Sequence, residues 1–187
     1  MATLTIFLIF LLLIAFFLIY VFNRFAKLRN LVKDAWSNID VALKRRYDLI
    51  PNLVETVKGY ANHEKSTLDA VISARNTALS VPSDDINSQI KAEQQVQRSL
   101  NGIFALGEAY PDLKANTNYL DLQQKLNEIE VNLERARRYY NGTVRENNTY
   151  GESMPGILLA SLFKYQRFDY FEVDETVRAN VKVDFQG

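Results

Sequence analysis

The sequence predicts an all-α protein held in a membrane. An N-terminal transmembrane helix is followed by an antiparallel four-helix bundle with long helices, a short C-terminal helix and an extended aromatic tail. Two observations carry this. Met1 to Phe22 hold no charged side chain, no glycine and no proline before Asn23 and Arg24 end the run. At ~1.5 Å per helical residue such a run reaches roughly 33 Å, enough for a hydrocarbon core of about 30 Å. Beyond it, apolar residues recur at steps of three and four through four successive segments, the period of a helix with one buried face.

The anchor is assigned to residues 1–23, with Leu4, Ile6, Phe7, Phe10, Phe16, Phe17 and Phe22 facing membrane lipids. A cleaved signal peptide is disfavoured, because it needs a basic start and small residues at the cut, whereas Tyr20, Val21 and Phe22 close this run. Arg24, Lys27, Arg29 and Lys33 follow the span, so the positive-inside rule places the C-terminal domain in the cytoplasm. The same four residues are candidate contacts for anionic head groups.

Residues 24–148 are expected to form the bundle. Leu28, Leu31, Val32, Ala35, Trp36, Ile39, Ala42 and Leu43 make the first stripe, with no glycine or proline separating it from the span. Asp48 followed by Pro51 predicts a reset, either a hairpin or a kink in one helix. A second stripe runs from Leu53 to Ala78 and ends before Pro82. Ser83-Asp84-Asp85 caps a third helix, which Pro111 stops. A polar stretch, Asp112 to Asn118, leads to a fourth in which Leu122, Leu126, Ile129, Leu133, Ala136 and Tyr140 keep heptad spacing, as in a coiled coil. Asn147 to Gly151 reads as a loop, and Ile157 to Phe163 as a short apolar turn or helix. Residues 149–187 thus form a C-terminal unit whose aromatic side chains, Tyr165, Phe168, Tyr170, Phe171 and Phe185, either cover the bundle or meet a neighbour.

Composition limits the chemistry. The 22 basic and 22 acidic residues balance, so nucleic acid is not an expected partner. There is no cysteine. The sole histidine, His63, is followed by Glu64, but Thr67 stands where a zinc protease would place its second histidine. Glycines are scattered singly, with no phosphate loop and no Gly-x-Ser-x-Gly. No cofactor or metal is expected. Glu128, Glu130 and Glu134 read as a solvated or salt-bridged face beside the fourth stripe.

Several blocks are distinctive. AWSNIDVALKRRYDLIPNLVETVKGYANHEKSTL spans Ala35 to Leu68, EAYPDLKAN Glu108 to Asn116, ARRYYN Ala136 to Asn141 and YFE Tyr170 to Glu172. In that order they resemble the LemA family of bacterial membrane-anchored proteins. The resemblance implies one transmembrane helix and a soluble helical bundle, with no agreed biochemical activity. It also suggests a role in envelope stress and a membrane metalloprotease as a candidate partner.

Trp36, Arg45, Arg46, Tyr47 and Asp48 on one helix, and Arg137, Arg138, Tyr139 and Tyr140 on another, are candidate latch residues. Antiparallel packing would join them at one end of the bundle, with arginine stacked on tyrosine and paired to Asp48 or Glu55. Tyr170 and Phe171 are candidate interaction residues in the tail. The leading expectation is a non-enzymatic, membrane-tethered scaffold or interaction protein that forms homo-oligomers. The alternatives are a membrane-shaping or lipid-binding protein and, behind it, an uncharacterised enzyme.

Overall fold

A computed structural model of the chain describes residues 1–172. Phe185 lies outside the described residues. Among those described, helix is the regular structure throughout: α1 (Ala2–Lys58), α2 (Lys65–Ser80), α3 (Ile86–Ala109), α4 (Pro111–Lys114), α5 (Thr117–Glu152) and α6 (Gly156–Leu159).

The span and the first bundle helix are one rod, which at ~1.5 Å per residue is roughly 85 Å long. Its apolar N-terminal part stands free of the domain, with every residue before Leu18 exposed. The expected reset at Asp48 and Pro51 does not break it. Pro51 removes the amide that would serve the carbonyl of Tyr47, one turn back. Arg75 on α2 replaces it, its Nε donating to that carbonyl at 2.7 Å. The hairpin comes later, where Gly59 to Glu64 carry the chain over into α2, so Leu53, Val54 and Val57 belong to α1.

α3 begins as expected, with the Asp85 carboxylate accepting from the Ser88 amide at 3.1 Å. Pro111 stops it and opens α4, a single turn within the stretch read as merely polar. Asn116 caps α5 by accepting from the Tyr119 amide at 3.0 Å. α5 then passes through Asn147–Gly151, where a loop was expected. Those residues remain helical because Asn147, Asn148 and Gly151 continue the buried stripe with polar and small side chains that find partners.

Pairs between α1 and α5 run in opposite directions along the two chains: Tyr60 with Asn116, Arg46 with Glu130, Trp36 with Tyr140, Phe25 with Tyr150. α2 folds back on α1 and α3 runs forward beside it, giving an up-down-up-down bundle. The core holds Val32, Ile39, Ile50, Leu53, Val57, Val71, Val96, Ile103 and Leu133, each fully buried. Ile129, on the heptad stripe, is half-buried.

Candidate functional site

The helical period puts Arg46 on the same face of α1 as Ile39, Leu43 and Ile50, so its guanidinium enters the core. Arg46 is 2% exposed, and Glu93 of α3, facing it, is 1% exposed. Arg46 Nη1 donates to Glu93 Oε1 and to Gln97 Oε1, the latter at 2.8 Å, while its Nη2 donates to Glu130 Oε2 of α5. The Tyr47 hydroxyl donates to Glu93 Oε2 at 2.7 Å. Arg137 of α5 closes the cluster, with Nη1 donating to Glu130 Oε1 at 3.2 Å and Nη2 lying 3.9 Å from Glu93 Oε1. Two guanidinium groups thus face two carboxylates across three helices.

Burial pushes the Glu93 carboxyl above the usual carboxylate range, opposed by Arg46, the Tyr47 hydroxyl and Arg137. Burial likewise lowers Arg46, opposed chiefly by Glu93. A guanidinium starts from so high a value that it stays charged at neutral pH. Burial and then Glu93 push the Tyr47 phenol far up, so it is a permanent donor. A buried ion pair of this kind gains little over an apolar core of equal volume, but removal of one partner strands a charge. Its geometric consequence is to pin α1, α3 and α5 in one register.

Arg46, Tyr47 and Arg137 are thus brought together, but in the middle of the bundle and with other partners than expected. Arg46 pairs with Glu93 and Glu130 where Asp48 or Glu55 was anticipated; Asp48 is exposed and Glu55 meets Lys58 on the surface. Arg45 and Tyr139 are exposed, and Arg138 forms a surface pair with Glu134 at 2.8 Å. Glu93 escaped sequence reading because a lone glutamate between Ala92 and Gln94 looks solvated. The one available signal was its place on the stripe, three residues after Ile90 and three before Val96.

Nearer the membrane, Trp36 donates from Nε1 to Gln89 Oε1 at 3.0 Å and packs edge-on against Tyr140. The tail lies over this layer. Phe171 sits against Trp36 and under the Arg137 guanidinium, 4.5 Å from ring centre to Cζ. Asn148 donates to the Phe168 carbonyl at 2.9 Å and accepts from its amide at 3.2 Å. Asn141 does the same for Phe171, at 3.1 and 2.8 Å. Two asparagines two turns apart on α5 thus hold two points of the tail that lie three residues apart. Through Glu172 the tail covers its own bundle, with Tyr170 left 38% exposed.

At the membrane end, Phe22 and Phe25 of α1 meet Phe163, and Phe25 also meets Tyr150 and Tyr165. Arg24 lies over the Tyr150 ring, 5.9 Å from its centre, while Lys27, Arg29 and Lys33 are exposed. A Cβ on Gly156 would sit 2.0 Å from the Tyr150 carbonyl oxygen, and one on Gly151 2.3 Å from the Tyr165 ring. Glycine is what lets this collar close. His63 is exposed in the α1–α2 connection, and among the described residues no three side chains of the metal-binding types gather to hold an ion. A notch of about 330 Å³ lies between the end of α1 and α2, beside Pro51, Val54 and Leu68 and apart from the charged cluster.

Comparison with known proteins bears on this arrangement directly. The model of the LemA family matches residues 35–185, from just above the anchor to the tail. The chain belongs to the LemA family. It is similar to the protein LemA of Metamycoplasma hominis, with 28% identity over 128 residues, or 67% of this chain and 58% of that protein. The chain therefore aligns with less than two thirds of that relative's length. The family match takes in Trp36, Arg46, Glu93, Arg137, Asn148 and Phe171, so the charged cluster and the strapped tail both lie within its bounds. With an N-terminal helix long and apolar enough to cross a bilayer, this LemA family member is membrane-anchored.

Proposed function

We propose that the chain is a rigid membrane post whose bundle works by contact with other proteins, copies of itself or an envelope partner, and turns over no substrate. The observation that carries this is α1: one unbroken helix is both the anchor and a wall of the bundle, so the domain is held at fixed height and angle above the lipid. Such a part is suited to placing a surface. The LemA family is not a known enzyme family, which accords with this reading. Confinement to a membrane raises the effective concentration of partners, so weak contacts suffice. The side of the membrane is the cytoplasmic one by the charges after the span, and a membrane metalloprotease is the candidate partner that family membership suggests.

The route for self-association shifts. Residues 165–172 are engaged with their own bundle, so contact between copies falls to outer faces such as that of α5, where Val131 and Tyr139 are exposed. The test is photo-crosslinking in native membranes from positions 131 and 139, together with mass photometry of the full-length protein in nanodiscs. A crosslink to a second copy or to another membrane protein is the expected result. A protein that stays monomeric in nanodiscs and uncrosslinked in native membranes would overturn the proposal.

A further inference from the structure

The segment after α5 carries a surface that the bundle does not need. Met154, Ile157, Leu158 and Leu162 are 70%, 52%, 64% and 65% exposed. Elsewhere among the described residues of the domain the large exposed apolar residues, such as Val41, Leu79, Leu120 and Val131, stand singly. Four within nine residues is a patch, and patches of this kind mark contact surfaces.

Its position identifies what it contacts. The other side of the same segment packs on α1: Phe163 touches Phe22 and Phe25, and Gly156 lies against Phe25 and Tyr150. Val21 is fully buried and Leu18 half-buried, although both belong to the apolar run and every residue before them is exposed. The segment therefore reaches alongside the last turn of the span. Leu18 is four residues short of Phe22, so the contact extends about 6 Å below the end of the run. An interfacial element buries its apolar face about 5–10 Å into the boundary between head groups and acyl chains. Lys164 is exposed and lines one cleft with Arg29, just past the end of the apolar run, where phosphate groups would lie.

We propose that residues 153–164 are a second membrane contact, an apolar finger that dips Ile157, Leu158 and Leu162 into the leaflet on the domain's own side of the bilayer. Its occupant is lipid acyl chain, because the patch is continuous with a helix face that is itself in lipid. Two footholds, the span and the finger, prevent the bundle from swivelling about the α1 axis.

The absence of cysteine makes the test direct, since one introduced thiol is labelled alone. Leu158→Cys, Leu162→Cys and, as a control, Leu79→Cys would each carry an environment-sensitive fluorophore. The full chain would be placed in nanodiscs of phosphatidylethanolamine and phosphatidylglycerol. Emission from positions 158 and 162 should be blue-shifted and quenched by doxyl-labelled acyl chains several-fold more than emission from position 79. Emission as water-like as that of position 79 would overturn the proposal. So would a blue shift without quenching by lipid, which would mean that the patch is covered by protein. Circular dichroism of each labelled variant confirms that the bundle is intact, and two labelled sites guard against a local fault at either.

Discussion

Glu93, 1% exposed, is the carboxylate on which the buried charges of this bundle converge. It receives Arg46, Tyr47 and the approach of Arg137 at once, so its loss leaves two guanidinium groups in the core with only half-buried Glu130 between them. Glu93→Ala is expected to cost about 3–5 kcal/mol, the usual consequence of stranding a buried charge. Asp48→Ala, at the exposed position once expected to serve the latch, should stay within about 0.5 kcal/mol. Urea unfolding of the two variants separates these outcomes. The phenols make a second expectation. Burial, assisted by Glu93 for Tyr47 and by Asp169 for Tyr140, holds both above the ordinary tyrosine value in the fold. A group raised in this way contributes its stability below about pH 10 and loses it as pH rises further, because the unfolded chain ionises first. Stability should therefore fall above about pH 10 by about 1.4 kcal/mol per pH unit for each of the two. Thermal melts across that range, followed together with phenolate absorbance, measure it.

At the scale of elements, the sequence was readable wherever a stripe was apolar and misleading wherever polar residues did the same work. Leu122, Leu126 and Leu133 announce α5, but the helix continues to Glu152 on Asn147, Asn148 and Gly151, whose value lies in the tail they hold. No local signal shows that partner. Pro51 is the opposite case, a residue that locally favours a break and is overruled. Its missing hydrogen bond is supplied by Arg75, from a helix that begins fourteen residues later, and three-dimensional neighbours of that kind are invisible to periodicity. Arg75→Ala should thus cost about 1–3 kcal/mol by orphaning the Tyr47 carbonyl. In a Pro51→Ala background, where the helix regains its own amide, the same change should cost less. A double-mutant cycle that proved additive would show that Arg75 does not serve the proline.

For the whole molecule, the all-α class, the anchor and the third helix's cap were legible because each depends on contiguous residues. The charged cluster was partly legible: its two arginines stood out in basic, aromatic blocks and Glu130 in a face read as solvated or salt-bridged, while Glu93 had to be found by packing. The continuity of α1 across the membrane boundary also has a measurable effect. One alanine inserted between Arg29 and Asn30 should leave the Trp36 and Arg46 layers in register and unseat Phe25 from Tyr150 and Tyr165. Hydrogen exchange should then show protection lost over residues 147–152 and kept around Glu93.

An unbroken helix also turns a residue count into a phase. Each residue of α1 between Phe22 and Trp36 advances the rod by about 100° and about 1.5 Å, so azimuth and elevation of the bundle are geared together. Seven added residues would bring the same face round to within about 20° but raise it by about 10 Å, and no smaller addition restores the bearing so closely. In this gearing, the length of the segment from Phe22 to Trp36 is a dial with few usable stops.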